Sequence, residues 1–182
     1  MNYNFKKANT TDIPEIWSIL QQAIIRRRND GSTQWQDGYP NLEVIVVDNA
    51  SSDDTPAYLE DFTRRNPEVR VVLNRENLGF AAGNNVGLSI ATGDYMVLLN
   101  NDTVVTHGWV MTLLRHFQDD PKLGLLGPVT NNIGNEAKIE TSYSDLADMP
   151  AAALSYTLAH MGETYPMRTV AFFCVVIPRR IY

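Results

Sequence analysis

Residues 95–105 read Y-M-V-L-L-N-N-D-T-V-V, and this stretch constrains the chain more than any other. Four apolar residues, Met96, Val97, Leu98 and Leu99, break off into Asn100, Asn101, Asp102 and Thr103. Such a run predicts a strand covered on both faces that delivers polar side chains to the edge of a sheet. In open α/β sheets that edge is where ligands bind. Asp102 is flanked by amides and preceded by no compensating lysine or arginine, so it offers the hard oxygen donors that magnesium and manganese prefer. Asn-Asp-Thr is equally good turn chemistry. On these residues alone, a turn and a cation site stand as alternatives.

The chain around that stretch has 182 residues, enough for one domain to bury a core without staples. Its hydrophobic content of 44% and charged content of 20% are those of a globular protein. Cys174 is the sole cysteine and sits in an apolar run, which excludes an internal disulfide and predicts a buried small hydrophobe. The first ten residues lack an apolar signal core, and no apolar run reaches the roughly 18 residues of a membrane span. The expectation is a cytoplasmic protein, with peripheral contact to the inner face of the membrane left open. The net charge of -6 is uneven: residues 1–41 carry five basic and four acidic side chains, residues 42–182 ten and seventeen. That balance argues against a nucleic-acid partner. The one basic cluster, Arg26, Arg27 and Arg28, suits the end of a helix.

In chain order, residues 3–8 predict a short strand whose Lys6 and Lys7 fit a central sheet position poorly. Thr11 is an N-cap candidate and Pro14 falls in the first turn. Ile13, Ile16, Trp17, Leu20, Ala23 and Ile24 then recur at helical spacing down to about Arg28. Residues 29–41 (N-D-G-S-T-Q-W-Q-D-G-Y-P-N) are rich in turn formers. F-K-K-A-N-T-T-D-I-P-E-I-W-S-I-L with Q-W-Q-D-G-Y-P-N resembles the first strand, helix and loop of GNAT-type N-acetyltransferases. The glycine-rich acetyl-CoA loop of such enzymes is absent downstream, so the resemblance does not carry the acetyl-transfer chemistry with it.

From residue 42 the character changes. L-E-V-I-V-V (42–47) predicts a buried parallel strand ending in Asp48, Asn49, Ala50, Ser51, Ser52, Asp53, Asp54 and Thr55. Asp53 and Asp54 suit capping of a helix over 55–65, whereas Asp48 sits at the strand tip itself. V-R-V-V-L (69–73) predicts another strand, and residues 80–90 a helix containing Gly83 and Gly87. Each glycine weakens a helix by up to about 1 kcal/mol, so their presence predicts close backbone approach to a neighbouring element or a ligand. Further on, 109–117 predicts an amphipathic helix through Trp109, Leu113 and Phe117. Residues 123–129 predict a strand, 151–161 a helix, and 171–177 (A-F-F-C-V-V-I) a buried strand. His107 and His116 have no partner at a metal-ligand spacing and read as packing or surface residues.

Four features stand in series: V-V-D-N-A-S-S-D-D, N-R-E-N-L-G-F-A-A-G-N-N-V-G, A-T-G-D-Y-M-V-L-L-N-N-D-T-V-V and G-P-V-T-N-N-I-G-N-E. Together they resemble the GT-A nucleotide-sugar domain of family 2 glycosyltransferases, particularly rhamnosyltransferase-like members, over about residues 39–182. The resemblance implies that Asp48 contacts the nucleotide base and that Asn77, Gly79 and Asn84 line the nucleotide-sugar pocket. It also implies that Asn101 and Asp102 occupy the D-x-D-like position, with Asp102 binding the Mg2+ or Mn2+ that bridges the donor diphosphate. The expected reaction moves a sugar from a UDP- or dTDP-sugar to a hydroxyl of a saccharide or lipid-linked acceptor, as in cell-wall or polysaccharide biosynthesis.

A catalytic base is expected from an acidic motif downstream of the 171–177 strand, and Arg179 and Arg180 are followed only by Ile181 and Tyr182. The catalytic base is therefore left unassigned, and a binding fragment without turnover is the alternative. The two resemblances meet at 39–41, which divides the chain into an acetyltransferase-like segment (1–41) and a partial GT-A domain (42–182), a junction of two unrelated fragments. An acetyltransferase is the third reading. Alternating strands and helices from residue 42 onward predict an α/β, three-layer, mostly parallel sheet, incomplete at its ends.

Overall fold

The computed structural model describes residues 43–67, 69–106 and 108–182. The strand expected at 3–8, the helix at 13–28 with its arginine cluster, the loop at 29–41 and His107 lie outside the described residues. The chain divides into two compact units, whose described parts run from 43 to 96 and from 97 to 182.

The first unit is built on two parallel strands, β1 (Val44–Asp48) and β2 (Val69–Leu73), joined by helix α1 (Thr55–Arg65). Their register is regular, from Val44 opposite Val69 to Asp48 opposite Leu73, so the Asp48 carboxyl end is aligned with the end of β2. Both strands are rich in valine and isoleucine, whose branched side chains suit a pleated surface packed on both sides. Helix α1 buries Leu59 and Phe62. Its N-cap Asp54 makes no side-chain capping bond, and Asp53 Oδ1 instead accepts the Thr55 N–H at 2.9 Å.

Helix α2 (Gly79–Ile90) follows β2. A Cβ built on Gly87 would meet Val47 Cγ2 at 3.2 Å, and one on Gly83 would meet Asn49 Nδ2 at the same distance. The two helical glycines therefore let α2 settle against β1 and the residue just beyond its tip. At the other end of α2, Glu43 Oε2 accepts the Thr92 N–H at 2.8 Å and the Thr92 hydroxyl at 3.1 Å, while Glu43 Oε1 pairs with Arg70 Nη1 at 2.6 Å. Arg70 Nη1 also donates to the Ile90 carbonyl at 2.8 Å. One ionic clip thus joins the start of β1, the middle of β2 and the last turn of α2, where a cation suits the helix dipole.

Strand β3 (Tyr95–Leu99) pairs with β4 (Cys174–Pro178) in a second two-stranded sheet. In the second unit, Cys174 and Val176 form a core with Leu113, Leu114 and Phe117 of helix α3 (Trp109–Asp119). Each such apolar side chain withdrawn from water contributes about 1.5–3 kcal/mol. Gly108, at φ +79°, opens α3 in a left-handed conformation that glycine adopts without steric cost. Burial pushes the Cys174 thiol up to about 12, which makes it an inert packing residue. The segment expected as a strand over 123–129 is reduced to an antiparallel bridge, Leu126 with Val176, its two N–H···O bonds at 3.2 and 2.7 Å. Pro128 lacks an N–H to extend the ladder, and Gly127 passes so close that a Cβ would stand 2.9 Å from the Cys174 carbonyl. Helix α4 (Met149–Ala159) buries none of its residues, and a short 3-10 turn, Arg179–Ile181, follows β4.

The Glu43 clip has a pH signature. The Thr92 N–H, then Arg70, hold the Glu43 carboxyl below its ordinary range. A carboxyl depressed in the folded state stabilises above its unfolded pKa, and that stability disappears as pH falls through the depressed value. We expect Glu43→Gln to lower stability at neutral pH by about 1 kcal/mol or less, since the pair is partly exposed. The difference from wild type should vanish in denaturant titrations at a pH below the carboxylate range.

Candidate functional site

The carboxyl ends of β1 and β2 carry a dense amide network. Asn49, the residue after β1, donates from Nδ2 to Asn77 Oδ1 at 3.0 Å and to the Gly79 carbonyl at 3.1 Å. Its Oδ1 accepts Asn74 Nδ2 and the Leu78 N–H, both at 3.1 Å. Two donors and two acceptor sites exhaust the capacity of a carboxamide. Asn49 is therefore a brace that holds the β2–α2 loop to the tip of β1, with nothing left for a ligand.

The backbone bends sharply to make this possible. Ala50 lies at φ 64°, a left-handed conformation that costs a non-glycine residue roughly 1–2 kcal/mol. It stands between two anchored side chains, Asp48 and Asn49, whose hydrogen bonds offset that strain. Asp48 Oδ2 accepts the Ser51 N–H at 3.1 Å, and the Asp48 carbonyl accepts the Asn74 N–H at 2.9 Å. The Asp48 side chain is the one charged group in the buried set, with only 5% of its surface exposed. Its second oxygen, Oδ1, has no hydrogen-bond partner among the described residues, an unusual state for a buried carboxylate.

Of the residues singled out from the sequence, Asp48, Asn77 and Gly79 come together around this brace. Asn77 Oδ1 receives both Asn49 Nδ2 and, at 2.8 Å, the Gly79 N–H. The Asn77 Nδ2 group has no partner among the described residues and is exposed. Gly79, at φ +78°, turns the chain into α2, whose N-terminus has no side-chain cap. Asn84 lies further along the helix, and its Nδ2 donates to the Phe80 carbonyl at 2.9 Å within the same helix. Asn49, Asn74 and Gly83 complete the network without having been singled out as site residues. The signal that marks them is the asparagine directly after the strand-tip aspartate, together with the glycine four residues before Gly87.

Asn101 and Asp102 lie in the second unit, in a turn closed by the Thr103 N–H on the Asn100 carbonyl at 3.2 Å. The turn is fixed at its base by the Asn100 N–H on the Phe173 carbonyl at 2.8 Å. Both side chains are exposed. Among the described residues no three His, Cys, Asp or Glu side chains gather as a metal cage. One exposed carboxylate beside an amide oxygen fits a magnesium-type ion that keeps several waters and completes its shell with substrate phosphates. A turn and a cation-binding position are thus compatible here.

A parallel strand pair whose carboxyl ends carry the polar groups, followed by a helix, is the arrangement of an α/β protein in which ligands bind at that edge of the sheet. A family model described as "Glycosyl transferase family 2" matches residues 16–182, and the chain belongs to that family. The match runs across residues 41 and 42, and none of these comparisons supports an acetyltransferase origin for the first segment. Among relatives, glycosyltransferase GlyG of Streptococcus pneumoniae serotype 4 is 35% identical over 82 residues, 44% of this chain and 27% of that protein. The poly-beta-1,6-N-acetyl-D-glucosamine synthase of Staphylococcus epidermidis is 33% identical over 103 residues, 56% of this chain and 24% of the synthase. An uncharacterized glycosyltransferase of Haemophilus influenzae is 27% identical over 89 residues, 49% of this chain and 28% of that protein. The matched regions therefore span about a quarter of the length of these relatives. In structure, the chain is similar to the mannosyltransferase PcManGT from Pyrobaculum calidifontis in complex with GDP-Man and Mn2+, with a TM-score of 0.58 and 21% identity. That likeness covers 98% of this chain and 43% of the other, and it establishes the GT-A fold.

The brace is directly testable. In Asn49→Ala the Leu78 N–H and the Asn74 and Asn77 side chains lose their partner, for a loss of about 1–3 kcal/mol. Hydrogen exchange of the Leu78 amide should accelerate strongly, while that of Leu59 in α1 should change only with the global stability.

Proposed function

We propose that residues 42–182 carry the donor-binding domain of a glycosyltransferase that moves a sugar from a nucleotide-sugar to an acceptor hydroxyl. The observation that carries this reading is Asp48: a buried carboxylate at a strand tip, with one oxygen satisfied and the other free. Such an oxygen suits an N–H donor of a nucleotide base, which matches the role that the family resemblance implies. Asn77 Nδ2 offers a donor to donor-sugar or phosphate oxygens, and the first turn of α2, whose N-cap Leu78 makes no side-chain bond, favours negative charge. Asn84 lines the same pocket, with one amide N–H held by the Phe80 carbonyl and its Oδ1 without a partner among the described residues.

Asp102, with Asn101 beside it, would hold Mg2+ or Mn2+. The cation, when bound, stabilises the charge that develops on the departing diphosphate. The turn contributes an exposed carboxylate on a backbone anchored at its base by the Asn100 to Phe173 hydrogen bond. With so few protein ligands, the cation and the nucleotide should bind synergistically. The acceptor is a saccharide or a lipid-linked hydroxyl, and the relationship to a polysaccharide synthase favours assembly of a cell-envelope or extracellular polymer. Among the described residues no helix is long and apolar enough to cross a membrane. Work at the cytoplasmic face, with peripheral attachment, fits this reading.

Calorimetric titration of UDP, dTDP and GDP, each with and without Mn2+, tests the proposal. We expect one nucleotide to bind at least about tenfold more tightly with the cation, equivalent to about 1.4 kcal/mol. Asp102→Ala should remove the cation dependence, and Asp48→Asn should weaken the preferred nucleotide and narrow its margin over the others. Failure of all three nucleotides to bind a folded chain would overturn the reading. Turnover with a panel of nucleotide-sugars would then separate an active enzyme from a binding domain.

A further inference from the structure

The second unit contains a cavity of about 370 Å³, within the range of small-molecule sites. Leu123, Leu126, Pro128, Met167, Val170 and Phe173 supply most of its apolar wall, and no charged side chain lines it. The segments behind its walls are tied: Asn135 Nδ2 donates to the carbonyl of Thr169, which precedes the lining residue Val170, at 3.3 Å, and the Thr130 N–H donates to the carbonyl of the lining residue Ala137 at 2.9 Å. Phe173 also accepts the Asn100 N–H, so the wall is one hydrogen bond from the turn that carries Asn101 and Asp102.

One lining residue, Tyr165, brings polar chemistry to this apolar space. Its hydroxyl donates to Glu163 Oε2 at 2.5 Å, and His160 Nδ1 meets the same oxygen at 2.9 Å. The His160 ring stacks on Tyr156 with centroids 4.2 Å apart. Two partners on Oε2 leave Oε1 without one among the described residues. A carboxylate oxygen so placed accepts a hydroxyl. The Tyr165 hydroxyl, then His160, hold the Glu163 carboxyl below its ordinary range. A carboxylate stabilised in this way accepts hydrogen bonds well and removes protons poorly, which indicates recognition rather than base catalysis.

We propose that this cavity binds the apolar group of an uncharged acceptor, an alkyl or aryl glycoside, while Glu163 receives one of its sugar hydroxyls. The apolar wall selects the aglycone, and the Glu163 carboxylate beside an uncharged lining selects against acidic acceptors. The proposal rests on the glycosyltransferase reading and narrows its acceptor to an amphipathic class. Tyr165 and His160 are positioning residues for Glu163.

Saturation-transfer NMR and calorimetry on the full chain test this, with octyl β-D-glucoside below its micelle concentration as the probe and glucose as the control. We expect saturable binding of the octyl glucoside, with saturation strongest on the alkyl protons, and glucose at least about tenfold weaker, as burial of several methylenes requires. Ala171→Phe and Thr164→Trp each fill the cavity and should abolish that binding in chains whose circular dichroism is unchanged. Glu163→Gln should weaken it roughly tenfold, in line with a hydrogen bond to a charged group. Glucose binding equally well, or both filled variants binding as wild type does, would overturn the proposal. No binding at all to a folded chain would overturn it too. The test needs no nucleotide, so a failure of donor binding would count against the glycosyltransferase reading and leave the glycoside result standing.

Discussion

The carboxamide of Asn49 is the interaction on which the carboxyl end of the β1–β2 pair depends. Four hydrogen bonds from one side chain fix a loop that would otherwise present its two asparagines, Asn74 and Asn77, in many arrangements. An amide can do this because it donates and accepts at once, which a carboxylate or an ammonium cannot. The brace requires room, and Gly83 gives it: a methyl group there would press on Asn49 Nδ2 at 3.2 Å. It also requires the strained turn at Ala50, which places Asp48 inward and Asn49 toward the loop in consecutive residues. Asn77, whose Nδ2 keeps its donors, is thereby positioned by a residue with no capacity left.

The second unit uses a different device. Its buried strand β4 packs Cys174 and Val176 against α3, and the same strand region anchors the exposed turn through Phe173 and Asn100. The apolar floor beneath Asn-Asp-Thr fixes the backbone of the turn that carries Asp102, while the side chain itself stays exposed. The Tyr165, Glu163 and His160 cluster extends the same pattern, a polar group held by its neighbours at the margin of apolar packing.

Much of this was legible in the sequence, and the physics explains which parts. Apolar runs at 44–48, 69–73 and 95–99 could be read as strands because strands covered on both faces are nearly continuous in branched residues. The Gly83 and Gly87 pair announced close approach, and the structure supplies the neighbours, Asn49 and Val47. The fold class and family followed from four ordered motifs. The expected strand at 123–129 was misjudged because its apolar content is real while Gly127 and Pro128 limit its pairing to one bridge. Asn49 was marked in the sequence only by its place directly after Asp48, since four long-range hydrogen bonds leave no periodic trace. The free oxygen of Asp48 was not legible, since it depends on burial rather than on residue type.

The most direct measurement is paramagnetic broadening of backbone amides in the 15N-labelled chain by substoichiometric Mn2+, recorded with and without the preferred nucleotide. The account predicts that, with nucleotide present, the amides of Asn101, Asp102 and Thr103 broaden first, and that Asp102→Ala abolishes this selectivity. Broadening centred instead on surface carboxylates such as Glu60 and Asp61, unchanged by the nucleotide or by the substitution, would contradict it.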